Sequence, residues 1–509
     1  MKVRQFTNRL GLLVSAVFAF TAFCPVTWSG YPGKVIIKNN EIRWGQYKNV
    51  SGIRGVEFPD ADSGDLSATI KDWPLSGAST VVLRCQKPGN RFFSGDGLRI
   101  SSDRLERLHD NIVAVNAFDM LPLVMVFDPS LQCQLDEPEA YAKAAATLVD
   151  GLGDDCWYLL CLTDQLDDSD WKIQDSGTDP AESALGIATS LKAKHPDLIL
   201  AAGGASSRVN SGLVKEGGPI DVVMGRVDSL ELGEGGVSVD GAPFIETVSA
   251  QNLSSDDLKK AVSKVGFRRI DESFPYGFCV VYEDPDADMG KVQKTLDDIA
   301  PLVDQLQKEI SEAIPPSEDM NADLDPKEAE EGFVSLFNGK DLSGWVPISQ
   351  PDDFFVEDGV IQLQGFKGGW LRSWEPYSDF IFRGEYWIKE NGNSGMFMRA
   401  PLVGRCSRIG FEFQVMGQDK DAPITNDVTG SIYDVKPPEG IFIHPDEWNE
   451  VEIQCIGTEV KIVWNGHLAH HFEYSEVEAM KNRAVSGYIG LQDHHNEVKF
   501  RNLRIKKLN

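Results

Sequence analysis

Two rhythms of apolar residues divide this chain. From residue 31 to residue 313, short runs that are apolar throughout alternate with stretches whose apolar residues recur every three to four positions. The short runs are Thr80–Cys85, Leu121–Phe127, Trp157–Thr163, Leu198–Ala202, Val222–Val227, Phe244–Ser249 and Phe278–Tyr282, with a further one near Gly55–Phe58. They predict strands, and the stretches between them predict helices. The helical stretches are Asp103–Ala117, Pro138–Val149, Ala181–Ala193, Ser255–Val265 and Met289–Ile314. In the last of these, Val292, Leu296, Ile299, Val303, Leu306 and Ile310 fall on one helical face. Strands with no polar face, alternating with helices, belong in a parallel sheet covered on both sides. About eight of them in about 280 residues suits a (β/α)8 barrel, with an open doubly wound sheet as the alternative. No GxGxxG or GxxxxGK[ST] follows the first strand, so the usual nucleotide-binding signature is missing.

After residue 332 the period drops to two. Strand-like runs are Val360–Leu363, Phe380–Ile388, Gly395–Ala400, Gly410–Met416, Glu450–Cys455, Glu459–Trp464 and Val498–Lys506, and Asn465-Gly466 is a strong hairpin signal. Many short antiparallel strands imply a β-sandwich or jelly roll. Between the two regions, residues 314–331 hold Pro315, Pro316, Pro326 and many acidic residues, which reads as an exposed linker.

Within the second region, 392–416 stands out. Strand alternation puts Gly395, Phe397 and Arg399 on one face and Met396 and Met398 on the other. In the following run Glu412 and Gln414 share a face opposite Phe411, Phe413 and Val415. A Glu and a Gln beside an Arg suit the hydroxyls of a polyol, although a solvated face with a surface Arg399–Glu412 pair fits the same pattern. By the same alternation Arg383, Glu385 and Trp387 share a face, as do Tyr488, Gly490, Gln492 and His494.

Length, charge and the first residues narrow the picture. With 509 residues the chain is expected to hold roughly two to four domains. A net charge of −29 argues against nucleic acid or an anionic membrane surface as partner. Lys2, Arg4 and Arg9 precede an apolar run from Leu10 to Phe23, the pattern of a secretory signal peptide, taken as residues 1–29. The run is too short for a membrane span, so no transmembrane segment remains after its removal. Export to the periplasm or the exterior follows as an expectation, with lipid anchoring at Cys24 the alternative. Cys85, Cys156, Cys161 and Cys279 read as buried small hydrophobes, while Cys406 and Cys455 are a candidate disulfide.

Candidate chemistry in the first domain lies where barrel strands end. Arg84, Asp128, Asp164, Arg226, Glu283 and Asp284 occupy those positions. Two convergent carboxylates there would serve a glycosidase, yet Asp also leaves strands as an ordinary turn or cap residue.

The opening FVSLFNGKDLSGW (Phe333–Trp345), then EDGVIQ, GNSGMFMR, GFEFQVM, TGSIYD, EWNEVEIQ, VWNG and GLQDHHNEVKFRNLRIKKL together resemble the 3-keto-disaccharide hydrolase family, also described as 3-keto-glucoside-1,2-lyase/3-keto-2-hydroxy-glucal hydratase domains. The resemblance spans residues 332–509 and none of the first domain. It implies a concanavalin-like jelly roll in an exported protein. One departure is His495, where the family pattern has Gly after Asp493-His494; it crowds that loop.

The resemblance also implies a reaction. A 3-keto group acidifies the sugar C2 proton, its removal expels the C1 substituent, and water adds to the resulting 2-hydroxyglucal. Glu412 is expected as base, His494 as acid and Arg399 as enolate stabiliser. Asn393, Gln414, Glu385, Tyr433 and Gln492 are expected to bind substrate; Glu385, Arg399, Glu412, Gln414 and His494 are expected to converge on the concave side, with Asn393 and Tyr433 on rim loops. An oxidoreductase acting at the sugar C3 is then a functional partner. The residues single out no cofactor, although a divalent ion near Glu412 and His494 would suit the keto oxygen as Lewis acid. His467, His470 and His471 alternate faces and make a poor ligand set. Two other readings fit the same chain. One is a non-catalytic carbohydrate-binding jelly roll on a glycoside-hydrolase-like barrel. The other is a catalytic barrel with the jelly roll as its targeting module.

Overall fold

The computed structural model describes residues 35–37, 42–44, 53–58, 66–85, 92–93, 99–128, 138–153, 156–168, 179–214, 218–227, 243–265, 276–282, 288–348, 353–363, 369–419 and 421–508. The signal-like segment, Glu283 and Asp284 lie outside the described residues.

Eight parallel strands close into a barrel, each paired with the next in the chain and the last with the first. They are Ile53–Glu57, Thr80–Arg84, Leu121–Met125, Leu159–Cys161, Leu200–Gly204, Val222–Val227, Phe244–Ser249 and Tyr276–Val281. Closure is read from Cys279 opposite Gly55. The lower barrel interior is apolar, built from Ile53, Val82, Leu123, Leu159, Ala201, Met224 and Ile245, all buried. Helices Ser102–Ala117, Pro138–Leu152, Pro180–Lys194, Ser255–Val265 and Met289–Ile310 lie outside it and bury their apolar faces. The barrel expected from the apolar rhythm is therefore the observed one. The last helix stops four residues short of Ile314, because Ser311 caps it and Glu312 takes a left-handed φ of 50°.

The second region is a sandwich. One sheet has five antiparallel strands in the order Trp345–Ile348, Gly369–Ser373, Tyr488–Asp493, Asn393–Ala400 and Phe411–Met416. The facing eight-stranded sheet has Val498–Lys507, Phe380–Ile388 and Trp448–Ile456 at its centre. Between the sheets lie Leu371, Met396, Phe413 and Leu491 from one side and Phe382, Tyr386, Ile453 and Phe500 from the other. Alternation thus assigns the inner faces as expected. The segment read as an exposed linker is mostly exposed, but it is partly helical and tied to the sandwich. Pro326–Glu331 is a helix capped by Asp325, and its Glu328 pairs with Arg383 and Arg504. The Ile314 carbonyl accepts a hydrogen bond from Gly344.

One contact decides the arrangement of the whole. The outer face of the five-stranded sheet carries Trp370, Phe397 and Tyr488, and with Leu402, Val403 and Cys406 they join the apolar cluster of the barrel. The barrel side of this contact comes from turns that precede strands and from the last turns of Met289–Ile310. The Pro74 carbonyl accepts from Val403 N–H, Gln307 donates to the Leu402 carbonyl, and Asp304 pairs with Arg372 at 2.8 Å. The sandwich is therefore docked on the N-terminal end of the barrel, opposite the strand ends where barrel chemistry would sit. Among the described residues no helix is long and apolar enough to cross a membrane.

The six cysteines among the described residues are buried, and Cys406 and Cys455 are free thiols. The candidate disulfide does not form: Cys455 lies in the sandwich core, while Cys406 belongs to the cluster on the opposite side of the five-stranded sheet.

Candidate active site

Strand register lays out the site row by row. Across the outer face of the five-stranded sheet, Trp370 stands beside Gln492, then Gly395, then Gln414. The next row runs Arg372, Gly490, Phe397, Glu412. Antiparallel neighbours share a face, so Glu412, Gln414 and Gln492 emerge together. Gly395 leaves the space that Glu412 uses: a Cβ there would lie 2.2 Å from Glu412 Oε1. The carboxyl can therefore lean across Gly395 toward Gln492, whose side chain donates a hydrogen bond to it.

Glu412 is only 3% exposed, although it sits on an outer face, because this part of the sheet is covered. Burial pushes its carboxyl up to about 8, against the pull of nearby Arg405 and the Gln492 hydrogen bond. A second chain of contacts runs beside it. Gln414 Nε2 donates to Asn393 Oδ1 at 3.0 Å, and Asn393 Nδ2 stands 3.2 Å from His494 Nδ1. With its oxygen facing Gln414, the Asn393 amide presents an N–H to His494 Nδ1. That leaves the imidazole proton on Nε2. Desolvation, with His495 beside it, holds the His494 imidazole below its usual range, so it is neutral at pH 7. His495 takes a φ of 61°, the left-handed conformation for which the family pattern uses Gly; its N–H is held by Asp493 at 2.9 Å.

Two buried oxygens, Gln414 Oε1 and Gln492 Oε1, have no hydrogen-bond partner. Such groups are costly to leave unmet. They flank Glu412, and both are acceptors. The face is supplied with unmet acceptors where a polyhydroxylated ligand would bring donors.

The structure brings together Glu412, Gln414, Gln492, Asn393 and His494. Tyr433 is half-buried next to them, its N–H donating to the Glu412 carbonyl at 3.0 Å. Two expected members are elsewhere. Arg399 does not share the face of Phe397, because the strand carries one extra residue between Phe397 and Ala400 relative to its partner. This bulge, with Arg399 at a φ of 56°, turns the side chain to the other side. There it is fully buried and donates to the carbonyls of Ser378 and Gly457 and to Tyr474 Oη. Glu385 lies on the other sheet. The core takes Phe382 and Tyr386, so Glu385 faces outward and pairs with Arg501 at 2.7 Å and with Asn502.

The cation that does act on Glu412 is Arg405, which follows the bulged strand at the start of helix Cys406–Ile409. Sequence reasoning missed it, although Gly404 followed by Arg405 and Arg408 was a visible signal. His467, His470 and His471 do not converge. His467 stacks on Phe442, His470 contacts the Gly430 carbonyl at 2.7 Å, and His471 pairs with Glu459. Among the described residues no three His, Cys, Asp or Glu side chains are grouped to hold a metal ion.

At the far end of the barrel the four flagged residues that are described do meet. Arg84 lies 3.4 Å from Glu57, 3.3 Å from Asp128 and 3.9 Å from Asp164, and Arg226 lies 3.8 Å from Asp164. Thr247 donates to Asp164 at 2.8 Å. Three carboxylates around one buried guanidinium hold it protonated despite desolvation. This is an ion network, in which the carboxylates compensate buried positive charge.

Comparison with known proteins bears on the second region. Residues 332–506 match the profile of the 3-keto-alpha-glucoside-1,2-lyase-like domain. A 3-keto-disaccharide hydrolase of Bacteroides thetaiotaomicron is 28% identical over 229 residues, covering 35% of this chain and 79% of that protein. A solved structure from Parabacteroides distasonis, provisionally described as a glycosyl hydrolase, aligns at 26% identity and a TM-score of 0.33 over 36% of this chain and 98% of that one. For the barrel, a β-mannanase from Streptomyces thermolilacinus aligns at 13% identity and a TM-score of 0.38, over 53% of this chain and 95% of that one.

Proposed function

We propose, from the likeness of residues 332–506 to the 3-keto-disaccharide hydrolases, that this is a carbohydrate-active enzyme whose jelly roll cleaves 3-keto-glycosides by elimination. Glu412 takes the C2 proton, and the electron pair moves onto the C3 oxygen as an enolate. The C1–O bond then breaks, and the departing oxygen takes a proton. Water adds to C1 and a proton returns to C2, so the net change is hydrolysis.

Each group has a physical reason for its part. A carboxyl raised to about 8 is a stronger base than an ordinary one once it is ionised. His494, neutral and with its proton on Nε2, is suited to donate to the departing oxygen. Arg405 replaces Arg399 as the cation for the enolate; one such donor is typically worth ~3 kcal/mol. Gln414, Gln492, Asn393 and Tyr433 orient sugar hydroxyls. A reaction of this kind needs a substrate already oxidised at C3, so an oxidoreductase must act before it.

The observation that carries the proposal is the pair of unmet acceptors, Gln414 Oε1 and Gln492 Oε1, flanking a buried carboxyl of raised pKa. A lectin-like face would have satisfied or solvated polar groups and no need for such a carboxyl. The barrel network offers less to a hydrolase, since its carboxylates are committed to Arg84. The test is to incubate the full chain in D₂O with a 3-keto-glucoside and its unoxidised parent, and follow both by NMR. Aglycone release from the keto sugar alone, with deuterium entering C2, is expected. Release from the parent, or release without C2 exchange, would overturn the elimination reading.

A further inference from the structure

The barrel supplies no group to the chemistry just described, yet one of its residues holds the turn that carries Arg405. The Arg405 N–H donates to Asp119 Oδ2 at 2.8 Å, and Arg405 Nε lies 4.0 Å from the same oxygen. Asp119 sits in the turn between helix Ser102–Ala117 and the barrel strand Leu121–Met125, in a left-handed conformation with φ 55°. Its side chain is 4% exposed, and its second oxygen, Oδ1, has no hydrogen-bond partner. On the sandwich side Gly404 takes a φ of +90°; a Cβ there would press on Ile409 Cδ1 at 2.7 Å, and Phe118 O and Asp119 Cβ of the barrel stand in ordinary contact at 3.6 Å. The turn that delivers Arg405 is thus packed between its own sheet and the barrel. Val403 N–H on the Pro74 carbonyl and Gln307 on the Leu402 carbonyl fix the two residues ahead of it.

We propose that Asp119 is a positioning residue for the sandwich site, acting across the domain contact by fixing the turn that carries Arg405, the cation near Glu412. The barrel is then an integral wall of the site. This rests on the proposed function for its consequence in turnover, but not for its effect on Glu412.

The electrostatics around the three groups fit such a role. Glu412 faces Arg405, the Gln492 amide and the buried Cys406 thiol, which desolvation holds neutral. Asp119 faces Arg405 and Arg408, and burial pushes its carboxyl up to about 7. Arg405 lowers both carboxyls, so its displacement lets Glu412 rise further. Removing only the charge of Asp119 does the opposite, because Arg405 then acts on Glu412 undiminished. Position and charge therefore predict opposite shifts.

The test uses the full chain and two readouts: the Glu412 midpoint from carboxyl ¹³C NMR, and the pH profile of kcat/KM on a 3-keto-glucoside. Asp119→Ala is expected to move the midpoint and the acidic limb up by about one pH unit, lowering kcat/KM at pH 7 by about tenfold. Asp119→Asn keeps an acceptor for the Arg405 N–H and is expected to restore the limb to the wild-type position or slightly below. Arg405→Met should shift the Glu412 midpoint as Asp119→Ala does, and the double variant should shift it no further. A midpoint unmoved by Arg405→Met, additive shifts, or equal upward shifts in the Ala and Asn variants would each overturn the proposal. If wild-type protein binds but does not turn over the keto sugar, the proposed reaction fails while the Glu412 midpoint still decides the role of Asp119. Should Asp119→Ala not fold, the Asn and Arg405→Met variants decide it alone.

Discussion

Glu412 concentrates the residue-scale physics of this protein. Its carboxyl is raised from 4.5 to about 8 on folding, so ionising it opposes folding. The resulting stability is full below the unfolded value and is lost as pH rises through about 8. Glu412→Gln should therefore raise Tm by roughly 5 °C at pH 9 and leave it unchanged at pH 4, measured by calorimetry. The same variant should lose about 10²–10⁴-fold in kcat on a 3-keto-glucoside. In the wild type, kcat/KM should climb with pH up to about 8 and then level, since the base must be ionised; a profile flat from pH 6 to 9 would assign the base elsewhere. Arg399 predicts the contrast. Arg399→Met strips buried carbonyls of their donor, so Tm should drop by an amount on the order of 3 kcal/mol of stability. KM and the kcat of the folded fraction should stay near wild type, which thermal melts and initial rates would check.

At the scale of the element, the strand Asn393–Ala400 sets what faces what. Its first half keeps strict alternation, so Gly395 and Phe397 join the site while Met396 and Met398 fill the core. Its second half carries the bulge that sends Arg399 away. Gly395→Ala tests the close approach: a methyl 2.2 Å from Glu412 Oε1 must displace the carboxyl, which is the movable end of a flexible side chain. Turnover should fall at least about tenfold, with circular dichroism and Tm nearly unchanged. Alternation was legible in the sequence because it is a property of the strand itself. The bulge was not, since one extra residue is defined only by the partner strand, here Tyr488–Asp493. His495 shows an intermediate case: a departure visible in the sequence marks a left-handed position in the structure.

For the whole molecule, the contact between barrel and sandwich is the feature neither half discloses. Trp370, Phe397 and Tyr488 stand on the outer face of the sandwich, and Asp119 in a turn of the barrel. Together they make one apolar cluster with a buried carboxylate at its edge. Leu402 lies in that cluster at 4% exposure. Leu402→Asp buries a charge between the domains, and calorimetry should resolve a single wild-type transition into two. A single transition in the variant would mean the domains are coupled by other contacts.

By itself the sequence determined the two architectures and which side chains share a face within each strand. The period of apolar residues states which backbone geometry can bury them, so barrel and sandwich follow from the pattern alone. Alternation is local, so the sequence paired Glu412 with Gln414 and Gln492 with His494; that the two pairs share one face of one sheet was only what the family resemblance implied. Only the tertiary structure decided that Arg399 and Glu385 lie elsewhere, that Cys406 and Cys455 are apart, and that Arg405 is the cation beside the buried carboxyl. It alone decided that residues 314–331 are pinned and that the sandwich docks beneath the barrel. These depend on register, on which sheet a strand joins, and on apolar surfaces meeting across hundreds of residues, none of which is written in the spacing along one strand.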